Sequence, residues 1–214
     1  MSILPARDYL LAAAICLIGL LAIFGAQHAL RDRIAHNRTI SAQAPLLAAL
    51  PESMRTTATL VEAGELEDSE KLHLEQAQPY YQIIVSGQQI GWLLPVVANE
   101  GYSGAIDLVV ALRTDGRILG INVLTHRETI GLGNRIERSQ SQWLDSFNDR
   151  SLNNPRIGSW FVRRDGGEFD QITGATVTSR AVTKAVKQTL EFYASTGLPQ
   201  SIKGSQQRMD EDDR

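Results

Sequence analysis

The segment Ala105–His126, AIDLVVALRTDGRILGINVLTH, decides the fold. Ile106, Leu108, Val110 and Leu112 fall at every second position and share one face, the period of a strand. Asp115-Gly116 interrupts the pattern with a pair that favours a two-residue hairpin turn, because both positions tolerate positive φ. ILGINVLTH then returns, so the segment predicts an antiparallel hairpin.

Working outward, YYQIIV, Ser86-Gly87 and QQIGWLLPVV predict two further strands about a turn. TTATLV, from Thr56, is strand-like within a polar, acidic stretch from Glu52 to Gln78 that reads as a loosely packed lead-in. Downstream, Asn134–Asn148 predicts a helix with Ile136, Trp143, Leu144 and Phe147 on one face. Ser159–Arg164 predicts a short strand and Asp165–Asp170 a turn. A last helix carries Val182, Ala185, Val186 and Tyr193 on one stripe. Strands and helices mix without βαβ regularity, which gives an α+β class: an antiparallel sheet with flanking helices.

The chain has 214 residues and a formal net charge of −3. No basic patch stands out, so nucleic acid is not an expected partner. One cysteine, Cys16, excludes an internal disulfide framework and a cysteine-built metal cluster. The four histidines lack metal-ligand spacing.

Tyr9–Ala26, YLLAAAICLIGLLAIFGA, contains no charge. With its flanks it approaches the ~20 residues that cross a hydrocarbon core. It predicts one N-terminal transmembrane helix over 9–30, after a short cytoplasmic N-terminus at 1–8. Residues 31–78 then form a membrane-proximal helix and lead-in, residues 79–197 the main domain, and residues 198–214 a polar, disordered tail. Arg31, Arg33 and Arg38 follow the span and only Arg7 precedes it, a bias that by itself favours a cytoplasmic body.

Three glycine-containing loops are the places for chemistry. Asp170–Gln188 reads DQITGATVTSRAVTKAVKQ, with Thr173, Thr176, Thr178 and Ser179 crowded where a helix begins. Gly174 permits a tight turn or close approach, and Ala175 keeps the spot open. Free N–H groups and the helix dipole suit a phosphate. Thr178 or Ser179 serves as the N-cap, which leaves the Thr176 hydroxyl outside the helix, facing that phosphate. Read alone, the same residues also suit a turn and a redundantly capped helix. In Thr125–Ile136, THRETIGLGNRI, Gly131 and Gly133 bracket Leu132, so amides can approach a planar ligand that Leu132 covers, while Glu128 and Thr129 add polar contacts. A flexible strand-to-helix connection fits as well. Tyr102 and Ser103 lie between glycines in EGYSGAIDL, which read alone is a turn.

Asp170–Thr176 fits the pattern Asp-x-x-Ser/Thr-Gly-Ala-Thr of proteins that carry FMN joined through its phosphate to the final threonine. With the N-terminal span, GYSGAI, HRETIGLG and ITGATVTSRAV, the chain resembles the G subunit of the Rnf (Rsx) ion-translocating electron-transport complex. The resemblance extends to a relative, the C subunit of the sodium-pumping NADH:quinone reductase, which is usually a longer chain. The resemblance implies an FMN-binding domain with a phosphoester at Thr176 and a tag of Asp170, Thr173, Gly174 and Ala175 read by a flavin transferase. It implies an isoalloxazine site lined by Glu128, Thr129 and Leu132, with Tyr102, Ser103, Thr178 and Ser179 as further cofactor-binding residues. Relatives often carry Pro where Ile130 stands here. The implied function is electron relay between redox centres of a membrane complex that couples NADH and ferredoxin to ion transport, without a substrate pocket of its own. The alternative is a tethered flavoprotein with a redox-sensing or assembly role; a purely structural domain without flavin is the other. Implied partners are the other subunits, the transferase and membrane lipid. The implied place is the inner membrane with the flavin domain periplasmic, against the arginine bias.

Overall fold

A computed structural model describes residues 43–66 and 71–196, together with Gly19 and Leu198. The expected span at Tyr9–Ala26 and the polar tail lie outside the described residues, Gly19 and Leu198 apart. Among the described residues no helix is long and apolar enough to cross a membrane.

The five strands are β1 (Ala58–Leu66), β2 (Gln78–Val85), β3 (Gln88–Ala98), β4 (Ile106–Arg113) and β5 (Ile118–Thr125). They form one antiparallel sheet in sequence order, each paired with its chain neighbour. Short connections dictate this meander, since antiparallel neighbours need only a turn between them. Ser86 (φ 52°) and Gly87 (φ 78°) make a two-residue turn with both positions left-handed.

The β4–β5 hairpin is present, but its turn differs from the two-residue expectation. The Gly116 N–H donates to the Arg113 carbonyl (2.9 Å) and the Arg113 N–H to the Arg117 carbonyl (2.7 Å), so Thr114, Asp115 and Gly116 form a three-residue loop. Only Gly116 takes positive φ. Asp115 turns its carboxylate to the Arg117 N–H at 3.0 Å, which holds it in ordinary backbone geometry.

Helix α1 is a single turn, Glu52–Arg55, and α2 runs Thr176–Thr196. The stripe of Val182, Ala185 and Val186 is buried against β3 and β4, where Ile106, Leu108, Val110 and Leu112 face it. The opposite sheet face is also covered. Leu60, Ile83, Leu93, Val109, Ala111 and Leu119 form a second core with Ala49 and Leu50, both fully buried. Among its described residues, the stretch expected as a loose lead-in is packed into the domain. β1 is a full member of the sheet, Leu72 and Leu74 enter the main core, and the Arg55 guanidinium ties the Ala48 and Leu50 carbonyls.

The helix expected over Asn134–Asn148 is instead two short 3-10 turns, Gly133–Ile136 and Trp143–Phe147. Glu137 is extended (ψ 139°) and breaks the run. The Ser141 hydroxyl donates to the Arg135 carbonyl at 2.5 Å and accepts from the Trp143 N–H at 3.2 Å, so side chains take the place of helix bonds. Ile136, Leu144 and Phe147 still reach the core. The strand expected at Ser159–Arg164 is a single parallel bridge, Val162 to Phe169, flanked by 3-10 turns at Ile157–Ser159 and Arg163–Asp165. Phe147, Trp160 and Phe169 stack there, with the Phe147 and Phe169 rings 4.6 Å apart. Aromatic packing, not a sheet ladder, holds this segment.

Candidate functional site

Because β4 and β5 are antiparallel, the start of one lies beside the end of the other, with Asp107 opposite Thr125. The loop before β4 and the loop after β5 are therefore neighbours. The N-terminus of α2 reaches the same end, so all three glycine-containing loops converge.

Glu128 sits at their junction, 5% exposed. One carboxylate oxygen accepts from the Ser103 N–H at 2.9 Å. The other accepts from the Thr178 hydroxyl at 2.5 Å. A buried carboxylate needs such partners, and these come from the other two loops. The Glu128 N–H donates to His126 Nδ1 (3.0 Å), so the proton of a neutral His126 is on Nε2, which meets Glu137 Oε1 at 2.9 Å. Gly133 permits the packing: a Cβ there would lie 2.6 Å from the Glu128 carboxylate and 3.2 Å from the Thr178 hydroxyl.

Two similar turns face each other. In Thr129–Leu132 the Leu132 N–H donates to the Thr129 carbonyl (3.2 Å), and in Ile172–Ala175 the Ala175 N–H donates to that of Ile172 (2.9 Å). Each has glycine in third position at φ 82°, Gly131 and Gly174, which marks a type II turn. Ile130 takes the second position, where proline also fits, so the turn forms without it. Leu132 lies over Gly174: a Cβ on Gly174 would be 2.9 Å from a Leu132 methyl.

The helix begins one turn earlier than the hydroxyl pattern suggests. Thr176 is the first helical residue, so Thr178 and Ser179 lie inside the first turn and neither is the N-cap. Their hydroxyls have other partners. Thr178 binds Glu128, and Ser179 accepts from the Ile172 N–H and donates to the Ala175 carbonyl, both at 3.0 Å. Ser179 thus fastens the turn to the helix. The amides of Thr176, Val177 and Thr178 are left as first-turn donors, where the helix dipole favours an anion.

Above this junction opens a cavity of about 490 Å³. Tyr102, Glu128, Thr129, Leu132, Gly174, Ala175, Thr176 and Thr178 all line it, so the three loops make one site. Thr176 is half-buried at its edge and Tyr102 is exposed. Ser103 contributes its N–H to Glu128, and Ser179 faces inward behind the turn. Asp170 and Thr173 are exposed and stand outside the lining. The Asp170 carboxylate pairs with Arg163 at 3.2 Å, and its carbonyl accepts from the Trp143 indole at 2.5 Å.

The cavity also contains Arg164, which carries no signal in the sequence. The 3-10 turn Arg163–Asp165 presents it. Asp165 holds that turn to α2 through both carboxylate oxygens, with Arg180 Nε at 2.6 Å and Nη2 at 2.5 Å. These bonds keep the Asp165 carboxyl below its usual range and raise the Arg180 guanidinium.

An FMN fits this donor set. First-turn amides of α2 and Arg164 suit a phosphate beside the helix start, and the exposed apolar faces of Leu132 and Tyr102 suit a planar ring.

The family model described as FMN-binding domain matches residues 101–191, which contain all three loops. The G subunit of the ion-translocating oxidoreductase complex of Vibrio vulnificus is 40% identical over 166 residues, 78% of each chain. That of Pseudomonas aeruginosa is 37% identical over 187 residues, 87% of each chain. That of Shewanella loihica is 34% identical over 162 residues, 76% of each chain. With the loops, the cavity and these relatives in agreement, the chain belongs to the family of G subunits of ion-translocating oxidoreductase complexes.

Proposed function

We propose that this chain is the electron-relay subunit of a membrane-bound ion-translocating oxidoreductase complex, carrying FMN joined through its phosphate to Thr176. The observation that carries this is the place of Thr176: first residue of α2, half-buried, at the edge of a cavity that all three loops line. When bound, FMN supplies one- and two-electron redox chemistry. Thr176 would hold the group through its side-chain oxygen: the new O–P bond would replace the bond from the flavin phosphate to the donor's leaving group, which would depart with the threonine proton. The first-turn amides and Arg164 offset the phosphate charge. Leu132 and Tyr102 would cover the flavin's ring, and Glu128 holds the loops in register through Ser103 and Thr178. An ester to the protein keeps the cofactor from diffusing away.

In the proposed setting, Tyr9–Ala26 anchors the chain in the inner membrane and the flavin domain faces the periplasm. A flavin transferase reads the Asp170–Ala175 tag, whose Asp170 and Thr173 side chains are exposed for an enzyme to reach.

The test is the mass of the peptide containing Thr176, from protein co-expressed with a flavin transferase. One added FMN, less water, is expected on Thr176 and is absent from Thr176→Val. An unmodified peptide sinks the reading. If the complex assembles with Thr176→Val, electron transfer is expected to be lost; full retention would favour an assembly role.

A further inference from the structure

Eight large hydrophobic residues are well exposed among the described residues; three of them line one cavity and a fourth belongs to a turn in its wall. Tyr102 (71% exposed), Leu132 (45%) and Val177 (42%) line the proposed flavin site, and Ile130 (89%) lies between its lining residues Thr129 and Leu132. Clustered exposure of this kind marks an interaction surface, whereas scattered exposure does not.

Ile130 is held out rigidly. It occupies the outer corner of the Thr129–Leu132 turn. That turn is braced by the Gly131 N–H on the Asn134 side-chain oxygen (2.7 Å) and by the Asn134 N–H on the Thr129 carbonyl (3.2 Å). Asn134 is itself buried. A fixed apolar tip loses little entropy on docking, which is how an anchor residue works.

The exposed charges without an ion-pair partner nearest these residues are basic. Arg127 precedes Glu128, Arg135 follows Leu132 by three residues, and Arg164 lines the cavity. All three are exposed, and among the described residues none is in an ion pair. Elsewhere on the domain Arg113, Arg117, Arg138, Arg163, Arg180, Lys184 and Lys187 each have an acidic partner, whereas exposed Lys71 and Arg156 are scattered singly without one among the described residues.

We infer that the outer rim formed by Ile130 and Val177, flanked by Arg127 and Arg135 and lying beside the Tyr102 and Leu132 faces given to the ring, is the docking face for a redox partner polypeptide. That partner presents an apolar notch bordered by carboxylates. This rests on the proposed reading of the cavity as a redox site. Ile130 enters the notch, and the arginines set encounter rate and orientation. An apolar contact at the mouth excludes water and brings the partner's redox group towards the cavity. The arginines steer without being buried, which suits a contact that must form and release repeatedly.

The test uses the full chain in membranes containing the assembled complex. A photo-crosslinking residue, p-benzoylphenylalanine, replaces Ile130, and in a control it replaces exposed Val61 on β1. Position 130 is expected to capture another member of the complex at a carboxylate-rich segment, and position 61 is not. Capture should fall about tenfold with Arg127→Glu plus Arg135→Glu, and also when ionic strength rises from about 20 to about 500 mM. In parallel, Ile130→Asp should slow NADH-driven flavin reduction about tenfold at unchanged flavin content. No capture at 130, the same product from 61, or capture of a second copy or of its own chain overturns the inference. So does wild-type reduction by Ile130→Asp. Crosslinking reads out whether or not flavin is attached, so an unmodified Thr176 would refute the proposed function separately.

Discussion

Glu128 and Thr178, fifty residues apart in sequence, meet at 2.5 Å in the floor of the cavity and hold two of its three loops together. The third loop joins through the Ser103 N–H on the other oxygen of the same carboxylate. Glu128→Ala removes both acceptors and leaves a void, so it should cost about 3 kcal/mol. Glu128→Gln keeps an acceptor for Ser103 and offers an N–H to the Thr178 oxygen, so its cost should stay at about 1 kcal/mol. Urea unfolding of the two variants checks this ordering. Equal stabilities would show that the carboxylate is not what holds the loops.

Gly133 is tolerated only as glycine because the Glu128 carboxylate lies against it. Gly133→Ala brings a Cβ to 2.6 Å from that carboxylate and 2.8 Å from the Glu128 Cβ. Glu128 must move, and overpacking of this kind typically costs about 1–3 kcal/mol. Gly174→Ala meets the Leu132 methyl at 2.9 Å and also demands φ 82° of an alanine. Both variants are expected to lose Thr176 modification. Gly158→Ala, where a Cβ meets open space, is the control and should be modified normally. Mass of the Thr176 peptide reads all three.

Trp143 supports the loop before Thr176 from behind. Its indole N–H donates to the Asp170 carbonyl, and its ring packs edge-on against Phe147 at 5.3 Å. Trp143→Phe keeps the ring contact and frees the carbonyl. A loss of about 1 kcal/mol is expected, with faster amide exchange across Asp170–Ala175. Unchanged exchange would mean that the turn at Gly174 is self-supporting.

Strand period was the most legible feature. Alternation at Ile106–Leu112 and the Ser86-Gly87 pair each depend on neighbours one or two residues away, and β2 to β5 follow from them. Residues 133–147 misled for the opposite reason. Ile136, Trp143, Leu144 and Phe147 do all turn inward, or nearly so, but around an irregular path set by distant partners. Arg138, for example, donates to the Ile121 carbonyl and to Asp145. Helical spacing reports which residues are buried, not whether the backbone between them is helical. The convergence of the loops was legible only through the resemblance, since no local pattern brings Tyr102 to Thr178. Arg164 was invisible because its position depends on a salt bridge between Asp165 and Arg180, which nothing near it in sequence announces.

That bridge gives a pH dependence. The two hydrogen bonds from Arg180 lower the Asp165 carboxyl below its ordinary 3.8. Desolvation opposes this more weakly, and the charges of Arg180 and Arg164 add to it. A carboxylate depressed in the folded state stabilises fully above its unfolded value and loses that contribution as pH falls through the folded value. The bridge should therefore be intact at neutral pH and fail only below about pH 4. Asp165→Asn lacks it at every pH. The wild-type melting temperature should exceed that of Asp165→Asn at pH 7, and the gap should close as pH falls below about 4. Both residues are exposed, so high salt should narrow the gap as well. Because the bridge holds the turn that presents Arg164, Asp165→Asn should also lower Thr176 modification at neutral pH. A melting gap that is constant across this range would show that Arg180 does not hold Asp165 in solution.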